Sequence, residues 1–270
     1  MKLLITGGGG YIGSHMVRHA QNRGIEVVVL DNFSTGYKWA IRDCEVLQVN
    51  LIDWEKLSAI LKGRRFDGII HFAAKSLVSE SVIQPDIYFR NNILGTLNLI
   101  NTMLQNGNQN LVFSSTAAIF GNPLTPTINE AHPKNPINPY GRSKLMVEEI
   151  MQDICSAYQL NVCCLRYFNA AGADKSGQIG EAHDPETHLI PNILNSILSQ
   201  SEKVKVFGDD YETNDGTCIR DYVHVDDLAQ ALWIIEYKSV YEGTHLSSDK
   251  AKLLSATSTG GSPDRLSSIL

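Results

Sequence analysis

Apolar residues in this chain come in short continuous runs, separated by longer stretches in which they recur every three or four positions. Short apolar runs bounded by turn residues suit strands buried on both faces, and the longer recurrence marks helices with one buried side. Strands are predicted at Met1–Thr6, Ile25–Asp31, Val46–Val49, Gly68–Phe72, Asn110–Ser114 and Val162–Tyr167. Helices are predicted over residues 11–23, Trp54–Lys62, Asn92–Asn106 and Gly141–Tyr158. The alternation implies an α/β fold, a doubly wound parallel sheet covered on both faces. Ligands of such sheets bind beyond the carboxyl ends of the strands.

From about residue 169 the rhythm changes. Polar, glycine-bearing segments surround a helix-like Leu189–Ser199, a short strand-like Val204–Phe207 and a helix carrying Leu228, Ala231, Leu232 and Ile235. This divides the chain into a main body, 1–168, a small and apparently incomplete substrate lobe, 169–237, and a tail, 238–270. The tail is rich in Ser, Thr and Gly without a long amphipathic pattern, so poor packing is expected there.

Between the first strand and first helix lies Gly7-Gly8-Gly9-Gly10-Tyr11-Ile12-Gly13, which satisfies G-x-G-x-x-G and the related G-x-x-G-x-x-G. Such a turn lets a pyrophosphate approach bare backbone at a helix amino terminus, whose N–H groups point at it. Asp31 closes the second strand 18 residues after Gly13, where a carboxylate accepts hydrogen bonds from ribose hydroxyls and repels a 2′-phosphate. The pattern is a Rossmann dinucleotide site that favours NAD over NADP.

Tyr140 and Lys144 stand one helical turn apart and share a face. A free phenol titrates near ~10, so ionising it at neutrality needs roughly 4 kcal/mol from nearby positive charge. Lys144 and an oxidised nicotinamide are expected to supply that together.

Composition narrows the field. The 270 residues carry a net charge of −6 with no basic run, which disfavours nucleic acid and anionic membranes as partners. No apolar stretch has spanning length, and the first strand begins at residue 2, so neither membrane span nor leader is expected. Five cysteines without zinc spacing read as buried thiols of a reducing, cytoplasmic compartment.

Taken together, Thr6–His15, Asp31-Asn32, His71–Ala74, Asn91-Asn92, Phe113–Thr116, Pro139–Lys144, Leu165–Ala173 and Arg220–Val225 resemble the extended short-chain dehydrogenase/reductase superfamily. Glu80-Ser81-Val82, His188–Pro191 and the last two of those segments are similar more narrowly to the UDP-glucose 4-epimerase family. The resemblance implies Tyr140 as acid and base, Lys144 as its electrostatic partner and a ribose ligand, and Thr116 as the hydroxyl that bonds the sugar oxygen. It places Gly7, Gly10, Tyr11, Ile12 and Gly13 under the pyrophosphate, and Asp31, Asn32, Ser34, Thr35 and Gly36 around the adenosine ribose. Asn50 and Leu51 would border adenine, an amide standing at Asn50 where the family has an acid. Phe72, Ala73, Ala74, Ser76, Asn91, Ser114 and Phe168 would line the cofactor. Asn169, His188, Leu189, Lys205, Val206, Phe207 and Arg220 match positions around the nucleotide sugar, Arg220 suiting a diphosphate. A homodimer packed through Asn92–Asn106 and Gly141–Tyr158 is a further implication.

The activity implied is inversion at carbon 4 of a UDP-hexose through a 4-keto sugar. Related implications are 4-epimerisation of UDP-glucuronate or a UDP-N-acetylhexosamine, or a weakened nucleotide-sugar binder with a shortened carboxyl terminus. A 4,6-dehydratase is disfavoured, because Ala117 and Ala118 follow Thr116 where that pattern has Asp-Glu. His71 and His224 sit in apolar strand-like contexts and read as structural, and Asp226 and Asp227 as helix caps. No metal is expected: Pro185 spoils a helical ligand face between His183 and His188.

Overall fold

The computed structural model describes residues 1–199, 203–206, 208–241 and 253–257. Its centre is a parallel sheet of β1 (Lys2–Thr6), β2 (Glu26–Asp31), β3 (Glu45–Gln48), β4 (Gly68–His71), β5 (Asn110–Ser114) and β6 (Asn161–Arg166), in the order 3-2-1-4-5-6. Side chains alternate across it. Leu3, Ile5, Val27, Val29, Ile70 and Val112 pack with Met16, Val17 and Ala20 of α1 (Tyr11–Gln21) and Leu228 and Leu232 of α8, which runs Val225–Tyr241. Leu4, Val28, Leu30, Ile69, Leu111 and Phe113 face α2 (Trp54–Leu61), α5 (Gly95–Asn106) and α6 (Pro139–Tyr158) through Leu57, Leu99, Met103, Val147 and Met151. Two dry layers therefore enclose the strands, and that is the doubly wound arrangement the sequence pattern predicts.

Several elements differ from the sequence expectation. Helices α3 (Val78–Ile83) and α4 (Pro85–Tyr88) occupy a stretch with no clear apolar period. A π-helical turn at Phe89–Leu94 then leads into α5. In the second lobe α7 spans Leu189–Ser199 as expected and buries none of its residues. Residues 204–206 have no regular secondary structure where a strand is expected, and Phe207 lies outside the described residues. Two three-residue strands too short to carry a period, β7 (Asn169–Ala171) and β8 (Tyr222–His224), form a small sheet of their own. Within the tail, the backbone of β9 (Leu253–Thr257) pairs in parallel with β6 as a seventh strand; most of the tail lies outside the described residues.

Helix α6 is fastened where it matters. The side chain of Asn138 caps it by accepting the Gly141 N–H at 2.8 Å, with Pro139 in the first turn. That begins the helix two residues earlier than the apolar period alone suggests. A Cβ on Gly141 would stand 2.6 Å from the Ala118 carbonyl, so the first turn lies against the segment that follows β5. One face carries Tyr140, Lys144 and Glu148 at successive turns. Glu148 is buried and receives Arg166 Nε at 2.9 Å, Arg166 Nη2 at 2.6 Å and the Ser115 hydroxyl at 2.6 Å. This charge-assisted fork ties α6 to the ends of β5 and β6.

Removing one partner leaves the other charge buried alone, so Glu148→Gln is expected to lower the unfolding free energy by about 3–5 kcal/mol. The double variant Glu148→Leu with Arg166→Met should recover much of that loss. Urea denaturation checks both, and a single variant as stable as the parent would contradict the clamp.

Candidate functional site

Thr6, His71 and Ser114 end neighbouring strands, and the site is built on that carboxyl edge. The glycine turn follows β1. Gly7 adopts φ +72°, a left-handed conformation that favours glycine, and a Cβ there would sit 2.6 Å from the Ala73 nitrogen. A Cβ on Gly13 would lie 2.2 Å from the Gly7 carbonyl oxygen. By contrast a Cβ on Gly10, the N-cap of α1, would meet only that same oxygen at 3.3 Å, and no side chain caps this helix. The result is a bare cradle over the N–H groups of Tyr11 and Ile12, and an anion such as pyrophosphate fits it.

Asp31 ends β2, buried, with one carboxylate oxygen taking the Gly9 N–H at 2.9 Å and the other the Phe33 N–H at 2.7 Å. Asn32 shapes the following turn by accepting the Ser34 N–H at 2.9 Å. Thr35 meets Gly10 and Tyr11 in one shallow hollow. Gly36 backs onto Gly9. At Asn50 the side-chain oxygen accepts the Ile52 N–H at 3.1 Å, which leaves the amide nitrogen for a base. Leu51 is core: its side chain packs under Gly95, and its carbonyl accepts the Asn98 amide at 2.9 Å.

Phe72, Ala73 and Ala74 follow β4 half-buried, with Ser76 exposed beyond them. Asn91 donates to Asn92 at 3.1 Å, and Asn92 is the pivot here. Its buried amide bonds the Lys75 backbone in both directions, at 2.8 and 3.0 Å, and reaches the Ser143 hydroxyl on α6 at 2.9 Å. Phe168 packs beside Ala117, Ile119 and Phe120.

Tyr140, Thr116 and Lys144 converge. The Thr116 hydroxyl hydrogen-bonds the Tyr140 phenol and also accepts the Ala118 N–H at 3.1 Å, so it caps and contacts at once. The ring of Tyr88 stands edge-on to Tyr140, centroids 6.5 Å apart, while its own hydroxyl donates to Leu77 O and Glu80 at 2.6 Å each. Lys144 is buried, its Nζ donating to the Ser114 carbonyl at 2.8 Å and lying 4.6 Å from the Phe113 ring centre.

The chain's own groups do not lower the Tyr140 phenol. Burial pushes the Tyr140 phenol up, and the Thr116 hydroxyl only partly offsets this. Burial also draws Lys144 down to about 7 against the opposing influence of Cys164 and Glu148. Desolvation dominates at both residues, and the ammonium is turned toward a carbonyl and an aromatic face.

His71 is structural as expected, buried between the Thr6 and Thr96 hydroxyls at 2.6 and 2.9 Å and held near 3 by that burial. His224 differs: it is exposed, and its Nδ1 accepts the Asp226 N–H at 3.2 Å. The cap of α8 is thus His224, with Asp226 and Asp227 in the first turn.

On the substrate side, Asn169, His188 and Leu189 line one hollow with Glu181, Pro191 and Tyr222. The Asn169 amide donates to the Asp221 carbonyl at 2.8 Å. Lys205, Val206 and Arg220 are exposed and stand outside that lining, the Arg220 guanidinium donating to the Ile219 carbonyl at 3.3 Å. His183 and His188 do meet, ring centres 4.9 Å apart, because residues 181–188 form a loop and not a helix. Among the described residues no helix is long and apolar enough to cross a membrane.

Sequence reasoning missed Glu148, Ser115, Tyr88 and the part played by Asn92. Two signals were present: Glu148 continues the Tyr140–Lys144 stripe, and Arg166 interrupts an apolar strand that must bury its partner too.

Comparison with known proteins follows the same lines. The sequence pattern of the NAD dependent epimerase/dehydratase family matches residues 3–245, and the chain belongs to that family. It is 49% identical over 234 residues to the UDP-glucose 4-epimerase of Halalkalibacterium halodurans, covering 87% of this chain and 70% of that one. Among solved structures, UDP-glucose 4-epimerase from Brucella ovis in complex with NAD superposes with a TM-score of 0.88 at 40% identity, over 98% of this chain and 80% of the other. The enzyme from Bifidobacterium longum in complex with NAD+ and UDP gives 0.87 at 31% identity, over 97% and 79%.

For Lys144 the folded-state value of about 7 lies below the ordinary 10.5. Between these limits the unfolded chain binds the extra proton, so this position's contribution to stability rises with pH. Lys144→Met lacks that dependence. The parent's unfolding free energy minus the variant's should climb by roughly 3 kcal/mol between pH 7 and pH 10 in urea titrations. A difference that stays flat would contradict the burial of a titrating amine.

Proposed function

We propose that the chain interconverts UDP-glucose and UDP-galactose by transient oxidation at sugar carbon 4, an isomerase reaction in which NAD ends each turnover as it began. The juxtaposition of the Tyr140 phenol with the Thr116 hydroxyl, on a helix that carries the buried Lys144 one turn on, together with the bare glycine turn after β1, carries this reading. Residues Gly7 to Gly13 and Asp31 would hold NAD, the first by backbone and the second by carboxylate.

Bound NAD supplies a hydride acceptor at the sheet edge that later gives the hydride back. Tyr140 would take the proton of the sugar 4-hydroxyl as hydride leaves carbon 4, and return it to the same oxygen when hydride comes back to the opposite face of that carbon. Thr116 keeps the oxygen that loses the proton on line with the phenol. Lys144 contributes charge below its transition near pH 7 and a donor at any pH, while Asn92, through Ser143, keeps the first turn of α6 in place. Inversion also requires a firm hold on the nucleotide and a loose one on the hexose. Asn169, His188, Leu189, Lys205, Val206, Phe207 and Arg220 are assigned to the nucleotide and diphosphate, Arg220 because a guanidinium pairs two phosphate oxygens.

Tyr140→Phe removes the proton carrier and keeps the ring. Conversion of UDP-galactose to UDP-glucose, followed by chromatography, should fall about 10²- to 10⁴-fold with NAD retention unchanged. A variant within tenfold of the parent would overturn the assignment. A parent chain that holds NAD and converts nothing would leave it a nucleotide-sugar binder.

A further inference from the structure

The loop between β7 and α7 gathers Glu181, His183, Glu186 and His188 so that one donor atom from each lies within 4.8 Å of all the others. We propose that these four side chains hold a divalent transition-metal ion of the zinc class, which fixes the loop forming one wall of the substrate hollow. That the hollow receives the nucleotide sugar is the reading given above; the ion and its test do not depend on it.

The spacing fits the ion. His188 Nδ1 lies 2.8 Å from Glu181 Oε1 and 3.2 Å from Glu186 Oε1, and His183 Nδ1 lies 3.3 Å from Glu181 Oε1 and 3.8 Å from Glu186 Oε2. A tetrahedral ion with bonds of ~2.0–2.1 Å separates neighbouring ligand atoms by roughly 3.3–3.4 Å; the approaches of the two imidazoles to Glu181 Oε1 (3.3 and 2.8 Å) and of His188 to Glu186 Oε1 (3.2 Å) lie near that edge, and the whole set, within 4.8 Å, reaches it by small side-chain rotations.

The chemistry fits as well. Two imidazoles and two carboxylates are borderline-soft nitrogen and hard oxygen donors, a set that suits zinc better than magnesium or calcium. The two carboxylate charges cancel a divalent ion when the imidazoles are neutral, so the loaded site is neutral. With four protein ligands and no open position, the ion would be structural.

A second observation points the same way. His183 Nδ1 is shut off from solvent and stands 3.3 Å from Glu181 Oε1 without the geometry of a good hydrogen bond. Both rings turn the same nitrogen toward one oxygen, Glu181 Oε1. The rival arrangement is a protonated His188 paired with the glutamates. It satisfies His188 and leaves the His183 nitrogen with only a 3.3 Å approach to an oxygen that His188 already holds at 2.8 Å, whereas an ion accepts both lone pairs. Glu181 is largely buried, and burial of an unshared carboxylate is costly.

Cobalt(II) tests this directly. The full chain, stripped with a chelator and titrated with Co2+, should develop the intense visible bands of a four-coordinate nitrogen–oxygen site at one equivalent, and Zn2+ should abolish them. His183→Ala and, separately, Glu186→Gln should each weaken Co2+ binding by about 100-fold or more while the far-ultraviolet circular dichroism stays that of the parent. The proposal fails if the parent shows no stoichiometric tetrahedral bands, if thiolate charge-transfer absorption places the ion on a cysteine, or if both variants bind as tightly as the parent.

Discussion

A carboxylate and a guanidinium buried side by side hold the working edge of this sheet: Glu148 of α6 and Arg166 of β6, joined by two bonds and seconded by the Ser115 hydroxyl. Pairs of this kind contribute little net stability compared with packed hydrocarbon, but they demand one geometry, because any slip strands a charge. Their position explains the demand. Glu148 lies two turns after Tyr140 and one after Lys144 on the same helical stripe, and Ser115 directly precedes Thr116. Moving α6 along its axis would break the fork before it displaced the phenol from the threonine. Asn92 adds the third restraint, tying the segment after β4 to the first turn of the same helix.

That rigidity brings together two groups which burial drives toward neutrality in opposite ways. The phenol is pushed up and the ammonium down, so burial favours the neutral form of each. Bringing a phenol from ~10 to neutrality takes roughly 4 kcal/mol, and the protein's own residues do not provide it in this arrangement. In the reading proposed above, the positive charge that would make Tyr140 a base is supplied by the oxidised cofactor.

Much of this was legible in the sequence because the sheet obeys simple periods. Six apolar runs became six strands within a residue or two, and Thr6, Asp31, His71 and Ser114 fell at their carboxyl ends, where the topology puts ligands. What was illegible lacked a period or depended on environment. Helices α3 and α4, of six and four residues, and the three-residue strands β7 and β8 are too short to show a repeat. The direction of the Tyr140 and Lys144 shifts depends on how deeply each is buried, and spacing alone does not report depth. His183 and His188 were judged against a helical face, whereas the loop they occupy folds them together by contacts that no linear pattern encodes.

The two halves of the site are held by different forces. The cofactor side rests on two dry layers of aliphatic side chains. The substrate side is hung on polar hooks: the Tyr11 hydroxyl on the Gly172 carbonyl at 2.6 Å, and Arg18 on Asp174, Ser176 and Gln178 at 3.2, 2.8 and 3.1 Å. Each such bond is worth only about 1 kcal/mol net, and α7 beyond them buries none of its residues. Tyr11 bears on both sides: it opens α1 at the glycine cradle, and its hydroxyl holds the Gly172 carbonyl.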